Sequence, residues 1–370
     1  MNNFKSVLKS EEKAAFALRS LYSKNGYSQY KMSKFEEYDL YVRNKDFLVS
    51  DSVITFTDTN GKLLALKPDV TLSIIKNSSD KGLEKLYYNE NVYRVSKGTH
   101  SYKEIMQVGL ECIGDIDDYC LGEVLVLAAE SLKTISNECV LDVSHLGVVS
   151  DVLAEIDLDD ADKSEILRCI GEKNFHEISL ICDKASVGDV QKQKLHSLVN
   201  LYGTPESVLP KVKNLVGEEN KGYKQLCLLS SMLTSAGFSD IVRIDFSVMN
   251  DMNYYNGIVF KGFVAGIPLG VLSGGQYDKL LKKMGKKSGA VGFAVYLDLL
   301  ERFEENESST DFDVLLLYTE QDNPIDVLSA ANEFKAKGKT VAVRGSVPKD
   351  MRFSEIYKYS EKGVKPIENA

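Results

Sequence analysis

The chain has 370 residues, 44% hydrophobic and 27% charged, with a formal net charge of -9; this is a globular protein long enough for two or three domains, not a disordered one. The acidic balance argues against a broad nucleic-acid surface, no apolar run approaches the roughly 18 residues that span a bilayer, and MNNFKSVLKSEEK at the start lacks a signal peptide's apolar segment, so a cytoplasmic protein is expected. The six cysteines (Cys112, Cys120, Cys139, Cys169, Cys182 and Cys227) form no CxxC pair and no metal-ligand spacing; they read as reduced, inert thiols, with no metal and no cofactor expected.

In chain order, Ser10 to Lys24 carries Ala14, Leu18 and Leu21 at helical spacing. Phe47 to Thr57 reads as a strand, and DTNGK as a turn. In LLALKPDVTLSIIKN, Leu63 to Leu66 is extended, Pro68 breaks the strand, and Val70 to Lys76 has helix spacing, which makes Asp69 a candidate N-cap. Leu83 to Val95 forms one arm of a β-hairpin whose loop is SKGTHS. Arg94, at the base of that loop, is a candidate anion contact, because its guanidinium can grip a carboxylate or phosphate in two places. His100 lies in the loop and is assigned no chemistry.

The second arm, EIMQVGLECIG from Glu104 to Gly114, organises the chain. Its alternation puts Gln107, Gly109 and Glu111 on one face and Met106, Val108, Leu110 and Cys112 on the other. The second set is core. The first is either the wetted face of an antiparallel sheet or a site where an amide and a carboxylate flank a residue with no side chain, leaving room for a small ligand such as a free amino acid.

Leu121 to Asn137 is helical. From about 140 to 235 short helices with charged faces follow one another without a strong strand signal, a helical insertion. Ile241 to Val248, Tyr254 to Ala265 and Leu269 to Leu272 are extended, and Gly274 and Gly275 allow a bend or a close backbone approach before a short helix. Lys282, Lys283, Lys286 and Lys287 read as a solvated basic loop. Ala290 to Phe303 reads as strand then helix, and ENESST, Glu305 to Thr310, as a linker. Beyond it, Val314 to Tyr318, Ile325 to Lys337 and Thr340 to Val343 alternate strand, helix and strand before a charged, helical end. This is a small α/β unit over 311–370, with ten acidic and nine basic residues.

LKPDVT at 66–71, NVYRV at 91–95, EIMQVGLECIG at 104–114, MNYYNGIVF at 252–260, GGQYDKL at 274–280 and AVGFAV at 290–295 occur in one order. Together they resemble the class II catalytic core of histidyl-tRNA synthetases. The resemblance implies an α+β fold, a mostly antiparallel sheet flanked by helices over 1–305, with a helical insertion and dimerisation through the core. It also implies that Asp69, Gln107 and Glu111 receive an amino group and that Tyr255 and Tyr277 enclose a histidine ring. An ammonium needs such acceptors, and a flat ring needs aromatic walls.

The departures point to one branch. Asn250 stands where the synthetase motif RGLDYY has its arginine, Leu299 where a third-motif arginine holds ATP, Gln276 where GGRYD has arginine, and Ser101 and Lys103 where the hairpin loop presents arginines. A neutral amide cannot offset phosphoryl charge. A core that keeps amino-acid acceptors, loses phosphate-handling arginines and has a curtailed C-terminal domain resembles the synthetase-like regulatory subunits of ATP phosphoribosyltransferase. What that implies is a chain that does not aminoacylate tRNA, a short-form catalytic partner, a hetero-octamer of four plus four chains and inhibition by histidine. A divergent histidyl-tRNA synthetase is the alternative.

Overall fold

The computed structural model describes residues 8–45, 53–79, 81–95, 101–248, 254–300, 310–360 and 363–367. Two compact units divide the chain at Met1–Glu301 and Arg302–Ala370. Phe47, His100, Asn250 and the stretch from Glu305 to Ser309 lie outside the described residues.

In the first unit, helix α1 (Ser10–Lys24) buries Ala14, Ala15, Leu18 and Tyr22, while Leu21, also spaced for the core, packs against it half-buried. After the short strand β1 (Ser28–Gln29) come β2 (Phe35–Glu37), helix α2 (Tyr38–Arg43), β3 (Thr55–Thr57) and β4 (Leu63–Leu66); β2, β4 and β3 form a small antiparallel sheet. Helix α3 (Thr71–Asn77) leads into the long hairpin of β5 (Glu84–Val95) and β6 (Tyr102–Gly114). Helix α4 (Asp118–Ile135), capped by the Asp117 side chain on Cys120 N–H, packs on the back of the sheet through Val124, Leu125, Ala128 and Leu132.

Strand β7 (Cys139–His145) follows, where the sequence pattern suggested the start of the insertion. It pairs in the sheet, so the helical segment begins only after it. CVLDVSH was missed because its polar residues are buried too and no alternation of wet and dry marks it. The insertion comprises α5 (Leu146–Ala154), α6 (Asp160–Gly171), α7 (Phe175–Lys184), α8 (Asp189–Asn200), the two-residue strand β8 (Tyr202–Gly203), α9 (Pro205–Val216) and α10 (Lys221–Ser235). Helix α10 is tied to the sheet by a relay: Gly147 N–H donates to His145 Nδ1 at 3.0 Å, His145 Nε2 donates to Gln225 Oε1 at 2.8 Å, and Gln225 Nε2 donates to Asp118 at 2.9 Å.

Strands β9 (Val242–Asp245), β10 (Ile258–Val264) and β11 (Leu272–Gln276), helix α11 (Asp278–Lys283) and β12 (Gly289–Tyr296) complete the unit, followed by one 3-10 turn, Leu297–Leu299. The large sheet has nine strands in the order β1-β5-β6-β12-β11-β10-β7-β9-β8, antiparallel except where β1 meets β5 and β7 meets β9. Gly274 and Gly275 lie inside β11 and make no bend. They permit close approach instead, since a Cβ on Gly274 would sit 2.4 Å from Phe293 Cβ. Among the described residues no helix is long and apolar enough to cross a membrane. All six cysteines are free thiols, and all but Cys227 are buried.

The second unit contains β13 (Phe312–Leu317), helix Pro324–Ala336, β14 (Val341–Arg344), β15 (Phe353–Lys358) and β16 (Lys365–Pro366). The charged end expected as helix is therefore strand. FSEIYK pairs parallel to β13 on the side away from β14, which buries Val314, Leu315 and Leu316 between two neighbours. Its charges misled the reading, because the strand carries exposed and half-buried residues and lets Glu355 and Lys358 reach solvent or a partner although it has neighbours on both sides.

Candidate functional site

From Gln107 to Gly114 both faces of β6 are buried. Val108, Leu110 and Cys112 enter the main apolar core behind the sheet, while Gln107 (3% exposed) and Glu111 (2% exposed) point to the other face and are no wetted surface. The register explains how a carboxylate is accommodated there. Glu111 is opposite Gly292 on β12, Gly292 is opposite Gly275 on β11, and Gly275 is opposite Val259 on β10. A Cβ on Gly292 would fall 1.8 Å from Glu111 Oε2, and one on Gly275 would fall 2.6 Å from the Tyr255 ring. The glycine row is thus a trough in which the Glu111 carboxylate and the Tyr255 ring lie across the sheet.

Gly109 does something different from the expectation. The space above it is not left for a ligand: Tyr88, its partner on β5, places its hydroxyl 2.5 Å from where a Cβ would be. Tyr88 therefore fills the gap between Gln107 and Glu111 and becomes part of the site floor.

Glu111 is the most constrained group. Thr71 Oγ1 donates to its Oε1 at 2.8 Å, and the Tyr277 hydroxyl donates to its Oε2 in a short hydrogen bond. Burial pushes its carboxyl up to about 8, against these two hydrogen bonds and with help from the neighbouring Asp69. Asp69 is also pushed up by burial, opposed by hydrogen bonds from Leu72 N–H (2.9 Å) and Thr71 N–H and by the Arg94 charge. The Leu72 bond realises the capping role read for Asp69, one residue earlier than the helix geometry would place its cap. One oxygen is used in this way.

Tyrosines close the remaining sides. Tyr254 stands 4.7 Å from Tyr255 and 5.6 Å from Tyr277 between ring centroids, and Tyr254 also bonds the Thr71 side chain. The Tyr255 hydroxyl shares a hydrogen bond with Ser273. Burial, reinforced by the nearby carboxylates, holds the phenols of Tyr88, Tyr254, Tyr255 and Tyr277 protonated well beyond their usual range. Tyr296 is in register with Gln107 on one side, and its hydroxyl bonds Arg94. Asp69, Arg94, Tyr254, Tyr255 and Tyr296 are half-buried and form the rim; Glu111, Gln107, Tyr88 and Tyr277 are the buried floor.

All six residues singled out in the sequence therefore lie on one face of one sheet or on the elements packed against it. Sequence reasoning missed Thr71, Tyr88, Tyr254 and Tyr296. Thr71 and Tyr254 sit inside motifs already quoted, so their signal was present; Tyr88 and Tyr296 are visible only through strand register. Arg94 borders the site, with Nε donating to the Pro68 carbonyl at 3.0 Å.

The Histidyl-tRNA synthetase family profile matches residues 6–300. A curated relative from Caldanaerobacter subterraneus subsp. tengcongensis, an ATP phosphoribosyltransferase regulatory subunit, is 30% identical over 336 residues, covering 87% of this chain and 87% of its own. This chain belongs to the histidyl-tRNA synthetase-like family, in the branch of ATP phosphoribosyltransferase regulatory subunits. The branch's fold recurs in a solved ATP phosphoribosyltransferase regulatory subunit/histidyl-tRNA synthetase from Bacillus halodurans, with TM-score 0.74, 23% identity and coverage of 97% of this chain and 96% of that one. It recurs again in the ATP phosphoribosyl transferase (HisG:HisZ) complex from Thermotoga maritima, with TM-score 0.62, 20% identity and coverage of 78% and 97%. Against the synthetase pattern, Leu299 of this chain packs against the main apolar core, and the Gln276 amide donates to Asp278 at 2.8 Å.

Proposed function

We propose that this chain is a noncatalytic regulatory subunit that binds free histidine between Asp69, Gln107 and Glu111, with Tyr255 and Tyr277 beside the ring. In this reading it associates with a short-form ATP phosphoribosyltransferase catalytic subunit, raises its activity, and transmits histidine feedback at the first step of histidine biosynthesis. The assembly is four plus four chains built on a core dimer, and tRNA is not a partner. The observation that carries the reading is the Glu111 carboxylate, buried among tyrosines, with hydroxyls and no cation as its described hydrogen-bond partners. Such a group is best matched by a ligand that brings its own positive charge, as an α-ammonium does.

Leu299 supports the noncatalytic part. An apolar side chain packed against the core offers a nucleotide phosphate neither charge nor donor. The solved complex of a structural neighbour supports the choice of partner. The test mixes the purified chain with a short-form catalytic subunit and follows phosphoribosyl-ATP formation over a range of ratios, with and without histidine. Activation that histidine suppresses is expected; no activation at any ratio would overturn the reading. Histidine-dependent pyrophosphate exchange with ATP, run in parallel, would instead establish a synthetase.

A further inference from the structure

The turn that carries Asp69 is held from strand β5, and two cations do the holding. Lys67 is fully buried, a rare position for an ammonium, whose removal from water costs several kcal/mol by order of magnitude unless it is paired. Its Nζ donates to the Glu90 carboxylate, and its backbone carbonyl accepts from Tyr93 N–H at 2.9 Å. The next carbonyl, that of Pro68, accepts from Arg94 Nε at 3.0 Å. Glu90 and Arg94 alternate onto the same face of β5 as Tyr88, and Glu90 stands in register opposite Gln107. The residues immediately before Asp69 are thus tied to β5 at three points.

The Arg94 guanidinium also bonds the Tyr296 hydroxyl and lies close enough to Asp69 to favour its ionised form. An anion clamp presents its donor fork to the ligand. Here the Nε is engaged by a carbonyl and the head sits between a phenol and a carboxylate, which is intramolecular use.

We propose that Lys67 and Arg94 are positioning residues, which lock the Lys67–Pro68–Asp69 turn against β5 so that the Asp69 carboxylate keeps its place as an ammonium acceptor. The assignment rests on the amine-binding reading above and replaces the anion contact read for Arg94 in the sequence.

The test uses the full chain and two readouts. Calorimetric titration with L-histidine reports affinity. Hydrogen exchange at the Leu72 amide, which donates to Asp69, reports the order of the turn without any ligand. Arg94→Gln is expected to weaken histidine binding about tenfold and to speed Leu72 exchange, with Arg94→Lys recovering part of both because Lys still offers one donor to Pro68. Lys67→Met alone leaves the Glu90 carboxylate without its partner and risks misfolding. The double variant Lys67→Met/Glu90→Gln removes both charges together; it is expected to melt near the parent's temperature and to bind histidine several-fold more weakly. Unchanged Leu72 exchange in Arg94→Gln, or parent-like histidine affinity in the double variant, overturns the positioning role. If the parent binds no histidine yet Leu72 exchange rises in Arg94→Gln, the positioning role stands and the amine-binding reading falls.

Discussion

The two faces of β6 are equally dry and chemically opposite. Behind the sheet, Val108, Leu110 and Cys112 meet α4 and α1 in an apolar core, where packing alone decides what fits. In front, Gln107 and Glu111 are as hidden as those neighbours, yet hidden polar atoms need partners, and those of the Glu111 carboxyl come from Thr71 and Tyr277, far from it along the chain. The lesson is that burial does not separate core from site; partner chemistry does. A face that keeps an acidic group out of water is poised for a ligand that completes it.

Variants can break this contrast, beginning behind the sheet. Leu110→Ala leaves a cavity where the side chain is fully buried, and urea unfolding should show a loss of about 2–5 kcal/mol. Histidine affinity of the fraction that remains folded should change little. Equal stability of variant and parent would show that Leu110 is not core.

In front, Gly292→Ala forces a methyl into the Glu111 carboxylate and against the Leu110 carbonyl. A stability loss of about 1–3 kcal/mol is expected in the same assay, together with loss of histidine binding by calorimetry. Retained binding would mean that Glu111 is not the acceptor.

Glu111→Gln sharpens the comparison, because it keeps shape and removes charge. Histidine affinity should fall by about 1–3 kcal/mol. The pH dependence supplies a second signature. The folded-state pKa of Glu111, about 8, lies above its usual 4.5, so the ligand-free fold binds the proton more tightly than the unfolded chain. This contribution to stability is present below about pH 4.5 and lost as pH rises through 8. Binding an ammonium reverses the preference and expels the proton, so affinity should rise between pH 6.5 and 8 by up to about tenfold per pH unit. Calorimetry in buffers of different ionisation enthalpy should find proton release in the parent that is absent from Glu111→Gln; identical release in both would remove Glu111 from the site.

The smallest effect is expected from Thr71→Val, which deletes one donor to Glu111 and keeps the branched shape. A change of about 0.5–1.5 kcal/mol in histidine affinity is expected by calorimetry. No change would assign Thr71 to helix packing alone.

Much of the site was legible because its parts lie in short motifs of regular period. Gln107 and Glu111 share a face by simple alternation, and Asp69 follows a proline at a strand-to-helix turn. The role of Gly109 was misread, since the residue that occupies its space, Tyr88, belongs to the other arm of the hairpin. Gly274 and Gly275 were left open between a bend and a close approach for a related reason: glycine serves both equally, and only the neighbouring Phe293 and Tyr255 decide between them.

The sequence by itself determined which residues alternate to which side of each strand and the order of motifs that places the chain in its family, because both depend on neighbours a few positions apart. Tertiary structure alone decided that Glu111 lies over Gly292, that Cys139–His145 joins the large sheet and that FSEIYK is a strand beside β13. Those outcomes depend on register between segments distant along the chain, and a strand's own pattern cannot name the strand that will pair with it.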